Sequence, residues 1–198
     1  DGNYAGWHTG GNSWMTRAPN PYALYNLASA VLGGKIYSVG GFNNSNGQNY
    51  MSEFDPTLNT WTPRAPNPYG LWGIAAQALG GKIYSVGGNN SGVGQNYMSE
   101  FDPATNTWTI RVPNPYGIRE LAAQALGGKI YSVGGFSSAA GQNYMSEFDP
   151  GVSTIFSGLT PNTQYTFKAK AQNQWGVQTG EAVGFTTYTL VALPGSNA

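Results

Sequence analysis

Short segments of alternating apolar and polar residues recur along the chain, each bounded by a glycine pair or by Asp-Pro. In the middle copy, an alanine-rich run at 75–79 is followed by a Gly-Gly turn and an alternating segment at 82–86. A polar loop at 89–96, a second alternating segment at 97–101, an Asp-Pro turn and a short segment around Trp108 complete the unit. Alternation with period two predicts β-strands, and the short turns predict an antiparallel meander of four strands.

The whole unit occurs three times with a period of 47 residues. The period is carried by the tyrosines Tyr37, Tyr84 and Tyr131 and the tryptophans Trp14, Trp61 and Trp108. A fixed period of about 40–50 residues indicates an array of small sheets, each repeat being one unit.

The paired glycines, the tyrosine that follows them, the later tryptophan and the Asp-Pro turn resemble the kelch repeat over residues 14 to about 150. The resemblance implies an all-β fold, a kelch-type β-propeller built from four-stranded antiparallel blades. Three blades in one chain would form an incomplete ring, because propellers have about four to eight. We assign residues 14–157 to these repeats, after an irregular N-terminal segment at 1–13.

A second pattern begins where the third copy loses its final tryptophan. The Leu-x-Pro-x-Thr-x-Tyr pattern ending at Tyr165, with the alternating residues after it, resembles the last third of a fibronectin type III domain. The resemblance implies a tyrosine corner formed by Leu159, Pro161, Thr163 and Tyr165. Residues 152–190 would form a partial fibronectin III-like segment of a β-sandwich, with three of seven strands, and 191–198 a tail or linker.

Composition narrows the classes of function. Charged residues make up 9% of the chain, against about 25% in average proteins, and nine basic residues balance nine acidic ones. We therefore expect no nucleic-acid partner, and no apolar run approaches the length of about 20 residues that a membrane span requires. Because the chain starts at Asp1 without Met, either a signal peptide has been removed or the chain is a fragment. We expect a secreted protein, extracellular or on the cell surface.

Few residues are suited to catalysis. His8 is the only histidine and there is no cysteine, so neither a histidine cluster nor a thiolate metal site can form. No nucleophile elbow accompanies His8. We expect no enzymatic activity, no metal and no cofactor.

Most charged residues recur with the repeat, as the arginines Arg17, Arg64 and Arg111 do. Three arginines at equivalent positions could form an anion-binding ring. The alternative, which we favour, is that each pairs with an acidic residue of its own or the next blade.

The differences between copies gather in two segments that a meander places at one end, namely the link into each blade and the loop between its second and third strands. Variation on one face of a rigid scaffold is typical of a binding surface, although loops also tolerate drift. We predict that this face binds a glycan or a protein. The candidate ligand-binding residues are Tyr25, Asn26, Asn43, Asn44, Trp72, Asn89, Asn90, Arg119, Glu120 and Phe136.

The two ends of the repeat array predict self-assembly. Residues 12–17 match the last strand of a blade that the chain lacks, and the third copy lacks the Asn-Thr-Trp of its own last strand. The strand containing Trp14, Met15 and Thr16 could complete the third blade of another copy, forming a dimer of six blades or a filament. Alternatively, Thr154, Ile155 and Phe156 could complete that blade within the chain.

Overall fold

The computed structural model contains two compact units, residues 1–150 and 151–198. It describes residues 14–137, 140–151, 164–167, 170–172, 178–181 and 185–188. Every regular element within these ranges is a β-strand, as the alternating pattern predicts. The described residues contain no helix with the length and hydropathy needed to cross a membrane.

Sheet 1 is an antiparallel meander of four strands in the order β1-β2-β3-β4. The strands are β1 (Ala28–Leu32), β2 (Lys35–Val39), β3 (Met51–Asp55) and β4 (Thr60–Arg64). The predicted four-stranded unit is confirmed for this copy.

Sheet 2 has the same meander in the second copy, with two additional short strands in its long loop. Its strands are β5 (Ala75–Leu79), β6 (Lys82–Val86), β9 (Met98–Asp102) and β10 (Thr107–Ile110). The loop predicted to be irregular contains a two-stranded ribbon, β7 (Asn89–Asn90) and β8 (Val93–Gly94). Ser91 and Gly92 between them have φ of 53° and 86°, as a two-residue type I′ hairpin requires.

Sheet 3 has three strands in the described part of the chain, β11 (Ala122–Leu126), β12 (Lys129–Val133) and β13 (Met145–Phe148). The segment around Ile155 and Phe156, one of two alternatives for its fourth strand, lies outside the described residues. Within the described ranges, the outer edge of β13 therefore has no neighbouring strand.

The turn between the first two strands of each sheet depends on the Gly-Gly pair. Gly80 and Gly81 have φ of 58° and 77°, and the equivalent pairs in the other sheets are similar. Two consecutive positive φ angles give the type I′ turn whose twist matches that of the strands it joins. The glycine pairs are thus tight turns, as the sequence indicates.

The apolar core lies between successive sheets. One cluster joins Val39 and Met51 of sheet 1 to Ile83 and Phe101 of sheet 2. The second cluster joins Val86, Met98 and other residues of sheet 2 to Ile118, Leu121 and Ile130 at sheet 3. The first strands of adjacent sheets contact each other, and their alanines allow this close approach.

The C-terminal unit contains two antiparallel strand pairs. Its strands are β14 (Gln164–Phe167), β15 (Lys170–Gln172), β16 (Gln178–Glu181) and β17 (Phe185–Tyr188), with β14 paired to β17 and β15 to β16. The sequence predicts three strands here, and the structure describes four shorter ones. Leu159, Pro161 and Thr163 of the predicted tyrosine corner lie outside the described residues.

Candidate functional site

Each link into a sheet meets the loop between that sheet's second and third strands at one end of the sheet. Isolated bridges provide the contacts, which join Tyr25 to Phe42, Trp72 to Asn89, and Arg119 to Phe136. We call the surface defined by these six residues the loop face. The prediction that the variable links and loops share one end is confirmed.

Side chains of the loop face form a ladder that crosses the three sheets. The ring centroid of Phe42 lies 5.4 Å from that of Tyr25 and 5.5 Å from that of Trp72, both in edge-to-face geometry. The guanidinium carbon of Arg119 lies 5.9 Å from the Trp72 ring centroid and 4.7 Å from that of Phe136. These contacts are favourable cation–π and aromatic geometries, so much of each ring already contacts a neighbour in the same chain.

The predicted asparagine ligands differ in their accessibility. Asn43, Asn44 and Asn90 are exposed. Asn89 is fully buried, its Oδ1 accepts a hydrogen bond of 2.8 Å from the Gly92 amide, and its Nδ2 has no partner among the described residues. The position of Asn89 beneath the loop therefore withdraws its side chain from solvent.

The two remaining predicted residues, Asn26 and Glu120, lie in a row of backbone contacts. The Gly73 amide donates to the Asn26 carbonyl at 2.8 Å, and the Glu120 amide donates to the Gly73 carbonyl at 2.6 Å. The φ angles of Asn26, Gly73 and Glu120 lie between 52° and 59°. Their backbone joins one sheet to the next, while the Glu120 carboxylate lies 3.6 Å from Arg119.

A pocket of about 410 Å³ opens on the loop face between sheets 1 and 2. Its lining includes the rings of Phe42 and Trp72 together with Asn46 and Asn90. Aromatic rings beside amide and hydroxyl groups can contact both the apolar face and the hydroxyls of a sugar. Two of the predicted ligand-binding residues, Trp72 and Asn90, line this cavity.

The junction between adjacent sheets is built in the same way twice. Gly41 N donates to Leu71 O at 2.9 Å and Leu71 N donates to Gln48 O at 3.2 Å. At the second junction, Gly88 N donates to Ile118 O at 2.9 Å and Ile118 N to Gln95 O at 3.2 Å. The repeat of 47 residues therefore preserves backbone bonds between sheets, as well as side-chain packing.

Sheet 3 exposes residues whose counterparts in sheets 1 and 2 are covered at the internal junctions. Val39 and Val86 are 0% and 2% exposed, whereas the equivalent Val133 is 47% exposed. Met51 and Met98 are 1% and 3% exposed, and the equivalent Met145 is 62% exposed. We call the surface of sheet 3 that contains Val133, Gly135, Gln142 and Met145 the trailing face.

Sheet 1, at the opposite end of the array, exposes residues whose counterparts cover the preceding sheet at the internal junctions. Ile36 is 39% exposed, although the equivalent Ile83 and Ile130 are 0% and 2% exposed. Leu24 and Leu27, which match two residues buried at each internal junction, are half-buried. We call the surface containing Leu24, Leu27 and Ile36 the leading face. The sequence analysis missed these residues, although comparison of equivalent positions across the period would have identified them.

The repeated charges pair within each sheet. Arg64 Nε donates to Glu53 Oε2 at 2.8 Å, and Arg111 Nε donates to Glu100 Oε2 at 2.8 Å. Burial alone would raise the pKa of Glu53, but hydrogen bonds from Lys35, Tyr37 and Arg64 outweigh it and lower that pKa. The pairing interpretation of the arginines is confirmed for sheets 1 and 2, and no anion-binding ring is needed to explain them.

Sheet 3 departs from this arrangement at its open edge. Glu147 pairs with Lys129, and hydrogen bonds from Lys129 and Tyr131 lower its pKa, but no described arginine reaches it. A groove of about 200 Å³ lies there, lined by Val112, Glu147, Phe148 and neighbouring residues. We call it the edge groove. Val112, Glu147 and Phe148 are the counterparts of Ala65, Glu100 and Phe101, which contact Trp108 and Arg111 in sheet 2.

The predicted assembly strand does not form a strand in the isolated chain. Trp14 is fully exposed at 102%, Met15 is 71% exposed and Thr16 is also exposed. Residues 14–17 have no regular structure. The alternative segment at Ile155 and Phe156 lies outside the described residues.

The described residues offer little for metal or acid–base chemistry. They contain no cluster of three acidic or histidine side chains placed to bind a metal ion, and His8 lies outside them. Burial, with a hydrogen bond to a glutamate, raises the pKa of Tyr37 and of Tyr84 to about 12. Both tyrosines are buried within the sheets, where this shift is structural.

Two stretches of the chain match the kelch motif. They are residues 23–68, which contain sheet 1, and residues 73–115, which contain sheet 2. With the antiparallel four-stranded sheets, these matches support a kelch-type β-propeller. Kelch repeats generally mediate protein interactions. A search of curated proteins gave no match to the chain.

Proposed function

We propose that this chain is a non-catalytic interaction module whose kelch-type blades associate head to tail with further copies of the same chain. The observation that carries the proposal is the pair of uncovered faces at opposite ends of the array. Val133 and Met145 on the trailing face and Ile36 on the leading face are exposed, while the same residue types are buried at both internal junctions.

The leading face of one copy has the chemistry that the trailing face of another copy requires. At the internal junctions, residues equivalent to Leu24 and Ile36 cover residues equivalent to Val133 and Met145. A third junction of the same kind would bring Leu24 of one copy to Gly135 and Gln142 of another, restoring the two backbone bonds described above. Such a contact joins different surfaces, so it either closes a ring or propagates as a filament.

The areas involved favour closure. Four strands of about five residues give a face of roughly 300 Å², so one junction buries about 600 Å². Two junctions in a closed pair of chains would bury about 1,200 Å², the lower limit for stable protein interfaces. Six blades also lie within the usual range of about four to eight.

The test uses one variant of each face. Met145→Asp removes the trailing face and Ile36→Asp the leading face, and each variant alone should be monomeric by analytical ultracentrifugation. Mixed together, they still hold one intact face each and should form pairs, weaker than those of the wild type, and nothing larger. Leu58→Asp, in an exposed turn away from both faces, is the control that should assemble normally. A wild-type chain that stays monomeric at micromolar concentration would overturn the proposal.

A second candidate function is binding of a glycan or of a protein segment at the loop face. It is favoured by the pocket between sheets 1 and 2, where Phe42 and Trp72 lie beside Asn46 and Asn90. A glycan array should give binding that Trp72→Ala abolishes and Phe136→Ala, which alters the ladder outside the pocket, preserves. An array with no bound glycan would exclude the glycan form of this function.

The remaining parts of the proposal concern the setting of the module. A partial fibronectin III-like segment after the blades, a low content of charge and the absence of cysteine are compatible with an extracellular or cell-surface interaction protein. Panels of glycoside, ester and peptide substrates should give no turnover. Reproducible hydrolysis that a His8 substitution destroys would contradict the non-catalytic part of the proposal.

A further inference from the structure

In sheets 1 and 2, an asparagine and a tryptophan hold the backbone of the residue that leads into the same sheet. Ala18 N donates to Asn59 Oδ1 at 3.0 Å, and Trp61 Nε1 donates to Ala18 O at 2.9 Å. In sheet 2, Asn106 and Trp108 hold Ala65 in the same way, at 3.0 and 2.8 Å. We call this pair of hydrogen bonds the clasp.

The last strand also contributes an arginine and an aromatic contact. The rings of Phe54 and Trp61 lie 5.1 Å apart, as do those of Phe101 and Trp108 at 5.2 Å. Three residues after each tryptophan, an arginine donates to the glutamate of the third strand. Each complete sheet therefore uses a triad of Asn, Trp and Arg with fixed spacing.

Sheet 3 has every receiving group for this triad. Val112 occupies the position of Ala18 and Ala65, while Glu147 and Phe148 occupy the positions that contact Arg and Trp. All three residues line the edge groove. The residues of the chain at the triad positions are Ser153, Ile155 and Gly158. Isoleucine and glycine have no side-chain donor, so they cannot replace the tryptophan and the arginine.

Residues 12–17 carry the same triad. Asn12, Trp14 and Arg17 have the spacing of Asn59, Trp61 and Arg64. Trp14 is fully exposed and Arg17 is exposed, and within the described residues Arg17 forms no ion pair. The residues that follow sheet 3 therefore lack the triad, whereas residues 12–17 have it.

We propose that residues 14–17 of a second copy form the fourth strand of sheet 3, with Trp14 and Arg17 in the edge groove. This inference rests on the proposed head-to-tail association, because in sheets 1 and 2 the last strand runs directly into the link of the following sheet. The register follows from Phe54↔Trp61 and Met51↔Arg64 in sheet 1. Trp14 then lies opposite Phe148 and Arg17 opposite Met145, and Arg17 donates to Glu147.

The charges of donor and groove are complementary. Glu147 is 43% exposed, against 3% for Glu53 and 9% for Glu100, which both have their arginine. Arg17 supplies the counterpart of Arg64 and Arg111, and the indole N–H of Trp14 meets the Val112 carbonyl, the counterpart of the carbonyls of Ala18 and Ala65. The occupant of the groove is therefore a second copy, in preference to an unrelated peptide that lacks this spacing.

A disulfide between chains tests the register, since the protein has no cysteine of its own. The pairs Ser52↔Pro63 and Ser99↔Ile110 place Thr16 of the donor opposite Ser146. Arg111 N donates to Met98 O, so Met98 and Arg111 form a hydrogen-bonded pair. Hydrogen-bonded and non-hydrogen-bonded pairs alternate along antiparallel strands, so the neighbouring Ser99 and Ile110 form a non-hydrogen-bonded pair, whose side chains are close together. Differently tagged Thr16→Cys and Ser146→Cys chains should therefore form a mixed disulfide under mild oxidation.

The matched control moves the donor cysteine by one residue. Met15→Cys with Ser146→Cys places the two sulfurs on opposite faces of the sheet and should cross-link at least tenfold less. Equal cross-linking of the two combinations, or none from Thr16→Cys, would overturn the inference. The second result is also expected if Ile155 and Phe156 supply the strand within the chain.

A charge exchange tests the contact between Arg17 and Glu147 independently. Arg17→Glu or Glu147→Arg alone should weaken assembly about tenfold or more, since a charge-assisted hydrogen bond is replaced by repulsion. In a mixture of the two variants every contact between unlike chains is oppositely charged, so the mixture should recover assembly, as should the double variant. Failure of Arg17→Glu/Glu147→Arg to recover would contradict the assigned contact.

The experiment separates this inference from the proposed function. If Met145→Asp abolishes assembly while the Thr16–Ser146 disulfide never forms, head-to-tail association is right and strand donation is wrong. If the wild type never assembles, both fail together. If assembly, cross-link and charge rescue all occur, the N-terminal strand of one copy completes sheet 3 of another.

Discussion

The side chain of Glu53 has a different environment from that of Glu147, although both occupy the same position of the repeat. Glu53 is 3% exposed and accepts from both Lys35 and Arg64, whereas Glu147 is 43% exposed and has Lys129 alone among the ion pairs of the described residues. Within the described residues, the arginine that pairs with Glu53 has no counterpart at Glu147.

The pKa of Glu53 predicts how stability responds to acid. Because hydrogen bonds hold the folded pKa below the ordinary value, the stabilisation is complete above the unfolded pKa of about 4.3. It is lost as pH falls through the lower folded value, since the unfolded chain binds the proton first. Glu53→Gln should cost about 1–3 kcal/mol at neutral pH and flatten the acid limb of a denaturation series. Glu147→Gln, its exposed counterpart, should have the smaller effect, and equal effects would contradict this account.

The buried tyrosines predict the alkaline response. The folded pKa of Tyr37 and of Tyr84 is raised to about 12, above the ordinary value of about 10. The stability that this provides is present below pH 10 and is lost as pH rises through 12. Absorbance of phenolate should therefore show a late phase to which Tyr37 and Tyr84 contribute, and Tyr37→Phe should reduce that phase by one tyrosine. A Tyr37→Phe chain with an unchanged late phase would contradict the assignment.

At the scale of the strand and turn, the repeat allowed most of the fold to be predicted from the sequence. Alternation located the strands of sheets 1 and 2, and the glycine pairs located their turns, because both depend on local backbone chemistry. The ribbon at Asn89–Asn90 and Val93–Gly94 was not predicted, since its pairing is determined by Ser91 and Gly92 in positive φ. The burial of Asn89 could not be predicted because it depends on how the link packs over the loop.

The second glycine pair of each repeat has a steric role that the turn pair lacks. A Cβ on Gly88, where φ is 113°, would lie 2.3 Å from Ile74 Cγ2, whereas a Cβ on Gly80 would meet nothing within 4 Å. Gly88→Ala should therefore destabilise by about 3 kcal/mol or more, combining strain with overpacking. Gly80→Ala should cost about 1–2 kcal/mol from backbone strain alone. Chemical denaturation measures both, and similar values would mean that the junction is not tightly packed.

At the scale of the whole molecule, the sequence predicted an unfinished array but not the residues that are exposed at its ends. The match of residues 12–17 to a last strand, and the loss of Asn-Thr-Trp in the third copy, predicted a displaced strand, because both depend only on counting along the period. The exposure of Val133 and Met145 required the structure, since the same residue types are buried in sheets 1 and 2. The loop-face pocket likewise depends on which loops lie close together in the folded chain. The pattern of a single sequence does not show which loops these are.

Association of intact chains is the central claim, and the mass of the particle in solution tests it most directly. Light scattering across micromolar concentrations should give at least twice the chain mass of 21.0 kDa for the wild type. Met145→Asp should give 21.0 kDa and Leu58→Asp the wild-type value. A folded wild-type particle of 21.0 kDa throughout that range would contradict the account.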